Sequence, residues 1–349
     1  MQTKEIQAPR ATPIEDGAPI AGTWKKPFAQ ANLLDIRRPY FLPLPRRIRD
    51  SRIKEWEGFG VQDDRFCLDV FLGNYKAFQA AGVLLCDKES GEAYAFRKLA
   101  FRKNWHLPQT LENASVECRA RGFFFRAHAW LKANTVRLDI DIAAIKGRPA
   151  FTAHLTFAMG SRDVTPASSS LLFAERRGMQ AFKALAPARG DIVLDGRHSS
   201  LNPARCTGVF RDYKGFFPYR MRHSSCWAAG FDEEGRRYGF HVAENQALDP
   251  KKNNENALWL DGRLSLLPPV RITMPNGPEA PWVAQDMEGM VDLTFTPTQA
   301  NRFGTDLFVA KGDFFGQMGY YNGALVTAEG ERILVQNQWG VGEKLYLRM

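Results

Sequence analysis

Five dipeptides, Ser90-Gly91, Glu234-Gly235, Asp261-Gly262, Glu288-Gly289 and Glu329-Gly330, each stand between runs with the look of strands. Glycine accepts the positive φ that tight hairpin turns demand, and Asp-Gly is a leading type I′ signal. In the clearest of the runs, Val136, Leu138, Ile140 and Ile142 alternate with Arg137, Asp139 and Asp141. That period of two marks a strand buried on one face. Residues 123–131, 151–157, 291–295 and 333–335 read as strands too, and 181–185 and 191–194 as shorter ones. Residues 161–177 read as irregular chain, and one short helix is expected over 50–56. Hairpin follows hairpin with almost no helix between, and a meander this long must close into barrels or stack into a sandwich.

At 349 residues the chain can hold two domains or one large all-β unit. Phenylalanine (25), tryptophan (8) and glycine (29) are plentiful, which favours strands and tight turns. Asn202-Pro203 breaks the chain, so the expected division is an extended proline-rich arm over 1–30, a first β-domain over 31–200 and a second over 201–349. No apolar run approaches the ~20 residues of a spanning helix, and the N-terminus lacks the apolar core of a signal peptide. The five cysteines are odd in number and never form a C-x-x-C pair, so reduced thiols and a cytoplasmic location are expected.

The net charge of +9 raises the question of nucleic acid. Arg46, Arg47, Arg49 and Arg52 cluster, and so do Arg205, Arg211, Lys214, Arg220 and Arg222. No basic helix, zinc finger or helix-turn-helix pattern accompanies them. Nucleic acid is therefore not the expected partner, and an anionic small ligand or plain solubility accounts better for the surplus.

Glycines, indoles and charged side chains are densest over residues 209–262. In an extended 254–259 segment, Glu255 shares a face with Ala257 and Trp259. A carboxyl beside an indole loses hydration, which raises its pKa and suits a general acid or a ligand-orienting group. On that reading Glu255→Gln costs no more than about 1 kcal/mol of stability. The structural alternative has Asn254, Glu255 and Asn256 capping a loop through local backbone bonds. His241 faces away from Tyr238, Phe240 and Val242, as a proton donor near Glu255 or as a polar face residue. Asp212, Lys214 and Arg220 form an internal ion pair, or else Lys214 or Arg220 reaches a substrate carboxylate or phosphate. Trp227 shares a face with Ala229 and Phe231, a large-and-small pattern that suits a cavity or a packed core.

No Gly-x-Ser-x-Gly elbow, metal-ligand spacing or dinucleotide fingerprint is present. The catalytic candidates are Glu255, Asp212 and His241. The ligand-binding candidates are Lys214, Arg220, Trp227, Asn254, Asn256, Trp259 and Glu343, with no metal and no cofactor.

Several of these segments, in one order, carry a resemblance. They are Asp212-Tyr213-Lys214-Gly215-Phe216-Phe217-Pro218-Tyr219-Arg220 with Trp227-Ala228 seven residues on, and the Asn254-Glu255-Asn256-Ala257 element ending in Asp261-Gly262. Val291-Asp292-Leu293-Thr294-Phe295-Thr296-Pro297, and Phe315 to Tyr320 through Gly323 to Glu343, complete the set. Over about residues 65 to 349 the chain resembles the bacterial domain-of-unknown-function 2804 family. More remotely it is similar to the carotenoid 1,2-hydratase and AttH-like group. That resemblance implies an all-β chain of two tandem lipocalin-like antiparallel β-barrels with few short helices, and a mostly lipophilic ligand. Three functions follow as expectations. The first is binding of an apolar or amphipathic small molecule. The second is a cofactor-free hydratase, lyase or isomerase. The third is a glycan-binding or carbohydrate-active protein, for which two carboxylates about 5–10 Å apart would speak.

Overall fold

The computed structural model describes residues 5–76, 78–100, 107–145, 147–299, 301–307 and 310–348. Strands dominate, and among the described residues helix is confined to Arg46–Arg52 and two 3-10 turns, Leu33–Asp35 and Leu131–Ala133. The helix lies earlier than the expected 50–56. Pro45 precedes its first turn, and β-branched Ile53 opens the Ile53–Gln62 strand, which draws Lys54 to Trp56 into the sheet. The segment expected to be irregular contains the strand Ala167–Ala174. That strand pairs with Arg177–Leu194, a single strand through both short ones expected, and with Gly22–Trp24 of the N-terminal arm. Each of the five glycine turns has positive φ, from 72° at Gly91 to 88° at Gly330. Among the described residues no helix is long and apolar enough to cross a membrane.

The chain forms two barrel-like domains, a nearly closed sheet and a half-barrel sheet. The first runs from Glu92–Ala100 through Gln79–Asp87, Phe66–Asn74, Ile53–Gln62, Thr207–Phe216 and Arg177–Leu194 to Phe151–Ala158 and the hairpins before it. The second is centred on Arg220–Phe231, Arg332–Arg348 and Ala310–Val326, with Arg237–Glu244 and Ala257–Leu260 on one side. The chain passes from one sheet to the other at residues 217–219.

Side-chain alternation gives each shared strand two tasks. Phe59, Phe182 and Phe210 enter the core of the first barrel with Phe125, Leu138 and Phe157. Phe240, Trp282, Phe295 and Tyr321 fill the second. A third apolar cluster, with Leu185, Val209, Trp227, Trp259, Met318 and Val341, lies between the sheets. Burying the Trp227 indole alone removes roughly 200 Å² of surface and contributes about 5 kcal/mol. Gly60 makes that possible: a Cβ there would lie 2.2 Å from the indole. All five cysteines are free and buried.

The first barrel also buries charge. Glu55, Glu57, Asp212 and Lys214 point inward, and the register sets Asp212 opposite Glu57 and Lys214 opposite Glu55. Lys214 pairs with Asp212, while Oε1 of Glu57 has no hydrogen-bond partner among the described residues. Burial, reinforced by the Asp212 charge, raises the Glu57 pKa from 4.5 to about 8. The folded protein therefore holds a proton there that the unfolded chain has lost, and stability is expected to fall as pH rises through that window. The slope approaches roughly 1.4 kcal/mol per pH unit. Asp69, raised to about 7 by burial, acts in the same direction. Urea denaturation of Glu57→Gln across the window should show the slope reduced by up to roughly 1.4 kcal/mol per pH unit, with the share of Asp69 remaining. A slope equal to that of the unaltered protein would place its source elsewhere.

Candidate functional site

Between the two sheets lies a cavity of about 840 Å³, its open mouth included. Most of its wall is apolar: Trp56, Phe71, Tyr75 and Phe78 from the first sheet face Phe314, Leu345 and Leu347 from the second. Asp313 adds a carboxylate, and the rest of the wall is polar, with Arg211, Tyr213, His223 and Glu343. These four come from three strands whose alternate residues form the packed cores. Gly58 lines the cavity as well, and its missing side chain leaves room for the Arg211 guanidinium, which a Cβ there would meet at 2.8 Å.

Arg211 sits between two carboxylates. It pairs with Asp69, donates to Glu343 Oε2 at 3.2 Å, and lies 4.9 Å from the Trp227 ring centre. Ser225 Oγ donates to the same Glu343 oxygen at 2.9 Å. Burial opposes the guanidinium charge, but the two carboxylates hold the Arg211 pKa above its ordinary value.

Behind Tyr213 and His223 lies a second, fully buried group. Glu255 Oε1 is 3.3 Å from His223 Nε2 and accepts from Asn245 Nδ2 at 2.8 Å, and Oε2 is 2.8 Å from the Lys183 ammonium. Lys183 also donates to His241 Nδ1 and to the Glu255 carbonyl, both at 2.7 Å. With Nδ1 accepting, the His241 proton is on Nε2, 3.1 Å from the Tyr213 hydroxyl. Burial pushes Glu255 up, yet the charge of Lys183 and the bond from His223 outweigh it and hold the carboxyl well below its usual range. Burial lowers Lys183 to about 8, where Glu255 still keeps it charged at neutrality. Burial, then the Lys183 charge, drives His241 well below its ordinary value, so its ring is neutral. Tyr213 is raised well above its own by burial and by Glu255, and stays a hydroxyl donor.

The expected raised pKa of Glu255 is thus overturned: an ammonium 2.8 Å away makes it a carboxylate, not an acid. Nor is Trp259 its neighbour in function, since the indole Nε1 donates to the Thr165 carbonyl at 2.7 Å. His241 is a neutral acceptor for Lys183, not a proton donor to a ligand. Asp212 and Lys214 lie on the opposite face of their strand, inside the first barrel, so they cannot join Glu255. Arg220 is exposed, and Trp227 is buried under Arg211 away from the cavity wall. Asn254 and Asn256 are loop clamps. Asn254 donates to the Pro250 carbonyl at 3.1 Å, and Asn256 bonds Ala243 N–H at 2.7 Å and the Pro268 carbonyl at 2.8 Å. Of the named candidates, Glu343 lines the cavity, and Glu255 and His241 stand behind its wall.

Lys183, Arg211, Asp69, Tyr213 and His223 were not among the candidates. One signal pointed to Lys183 and Asp69: a lone charge in an apolar strand, as in Ala181-Phe182-Lys183-Ala184-Leu185 and Cys67-Leu68-Asp69-Val70-Phe71. Such a charge is seldom buried unless paired.

No curated protein matches the chain by sequence. Among solved structures, kievitone hydratase from Nectria haematococca shares 11% identity and a TM-score of 0.49, over 84% of this chain and 88% of that one. OccK11 from Pseudomonas aeruginosa shares 9% identity and a TM-score of 0.15, over 85% of this chain and 95% of that one. Likenesses so distant say nothing of substrate. The model of the family described as Domain of unknown function (DUF2804) matches residues 3–349, and the chain belongs to that family.

Proposed function

We propose that the protein binds an amphipathic small molecule in the cavity between the sheets, apolar along its body and uncharged at its polar end. The observation that carries this reading is the lining: an aromatic and aliphatic chamber with one polar wall. An apolar lining with a few converging polar groups is the usual build of a small-molecule site. The polar wall favours a hydroxyl or carbonyl over an anion. Arg211 is already matched by Asp69 and Glu343, so a ligand carboxylate would meet two carboxylates for one guanidinium. Tyr213 offers the cavity its ring, since its hydroxyl is turned to His241 Nε2 at 3.1 Å.

Ala80 lines the cavity, and Ala80→Trp would put an indole into it. Native mass spectrometry of the freshly purified protein is expected to find a co-purifying neutral lipid or isoprenoid-like compound. The Ala80→Trp variant is expected to lose it and to bind a neutral apolar dye at least about tenfold more weakly, a difference of ~1.4 kcal/mol. Undiminished binding by that variant would show that the cavity is not the site.

One observation favours a second reading, a cofactor-free acid–base enzyme. His223 lines the cavity while its Nε2 is tied to the buried Glu255 carboxylate, an arrangement that orients an imidazole for proton transfer. A carbohydrate-active reading gains nothing, because Glu343 and Asp313, the carboxylates on the cavity wall, are each engaged by an arginine, Arg211 and Arg302.

A further inference from the structure

Residues 37–52 form a lobe that neither the cavity nor the two cores account for. Phe41 and Leu42 at its tip are 69% and 65% exposed, and Ile48 on its helix is 45% exposed. Around them Arg37, Arg38, Arg46, Arg47 and Arg52 are exposed, and no ion pair holds any of the five among the described residues. The acid within the lobe, Asp50, is taken by Lys76. Large apolar side chains ringed by unmatched arginines are costly to leave in water without a partner.

The lobe is built, not loose. The Arg38 carbonyl accepts from Phe41 N–H at 3.0 Å, and this tight turn holds Arg38 at φ 53° and Phe41 at φ 66°. A left-handed conformation is unfavourable for a bulky residue, and here it turns an aromatic ring outward instead of into a core. At the base, Arg49 donates to the Leu34 and Ile36 carbonyls at 2.8 and 2.6 Å, and the Tyr40 hydroxyl donates to the Phe217 carbonyl at 3.4 Å. The lobe also adjoins the cavity. Lys54 donates to the carbonyl of Tyr75, a cavity residue, at 3.0 Å. Leu347 lines both the cavity and a shallow depression shared by Tyr40, Arg52 and the exposed Tyr219.

We propose that this lobe is a docking surface for an anionic lipid bilayer, with Phe41 and Leu42 entering the acyl boundary while the surrounding arginines meet the headgroups. An apolar insertion plus a polybasic ring is the two-signal combination that gives lasting attachment to an anionic bilayer. Charge complementarity selects this occupant, since a zwitterionic surface would leave the five arginines unmatched.

The test is flotation of the full chain with phosphatidylcholine vesicles, with and without phosphatidylglycerol, at low and high salt. The protein is expected to float with the anionic vesicles, and salt should weaken the association. Phe41→Ser with Leu42→Ser, and separately Arg46→Glu with Arg47→Glu, should each weaken it at least about tenfold. Both pairs change exposed positions, so unaltered melting temperatures confirm that folding is intact. No enrichment with anionic vesicles, or full enrichment of either double variant, overturns the proposal. So does duplex DNA binding that the arginine variant loses and the serine variant keeps, or a dimer in solution that the serine variant dissolves. The vesicle assay needs no cavity ligand, so its failure would leave the ligand-binding reading standing.

Discussion

Lys183→Met is expected to destabilise the protein by ~3–5 kcal/mol, because it strips the cation from a carboxylate that cannot reach water. Glu255 is 2% exposed, and its charge is held by Lys183 with help from His223 and Asn245. Glu255→Gln is expected to be milder but still to cost more than about 1 kcal/mol, since it leaves an ammonium buried instead. Glu255 is what keeps that ammonium charged up to about 8, so without it Lys183 sheds its proton at lower pH, and the cost of Glu255→Gln should shrink as pH rises towards 8 and level off above it. Lys183→Met combined with Glu255→Gln should recover part of the loss, because neither charge is then orphaned. Urea denaturation of the four proteins at neutral pH decides it. If Lys183→Met stays within about 1 kcal/mol of the parent, the pair does not hold the sheets together.

The second large effect concerns His223. If the cavity performs acid–base chemistry, His223→Phe should lower kcat by ~10²–10⁴ and leave KM nearly unchanged. The phenyl ring keeps the aromatic contacts of the imidazole, whose centre lies 6.2 Å from Trp56 and 6.1 Å from Tyr213, and removes only the titratable nitrogens. Glu255 retains Lys183 and Asn245, so the fold should survive. A variant with full turnover would move the base elsewhere. A fall in affinity without any turnover in the parent would leave a pure binding protein.

Much of the fold was legible because strand pattern and turn chemistry are local. Tyr238, Phe240 and Val242 enter the second core while His241 faces the first sheet, as their alternation requires. The glycine turns also fall where their dipeptides stand. Local pattern failed where pairing decided the outcome: Ala167–Ala174 carries three serines in a row and shows no alternation, and it becomes a strand because Arg177–Leu194 and Gly22–Trp24 lie on either side of it. The site was less legible for the same reason. The sign of the Glu255 shift depends on a lysine 72 residues away, and Arg211 meets carboxylates 142 and 132 residues away. Register also separated neighbours: Arg211 and Tyr213 line the cavity, whereas Asp212 and Lys214, which alternate with them, serve the other side of the wall.

That alternation along Thr207–Phe216 has a consequence for how such a chain can be divided. The cation that neutralises Glu255 lies before the crossing at 217–219, and the carboxylate lies after it. Arg211 likewise reaches across the crossing to Glu343. A half lent to another protein would carry an uncancelled charge into its own interior and expose the Trp227 face that Gly60 accommodates. The two barrels are therefore two shapes with one shared charge balance, and neither is expected to fold stably when expressed without the other.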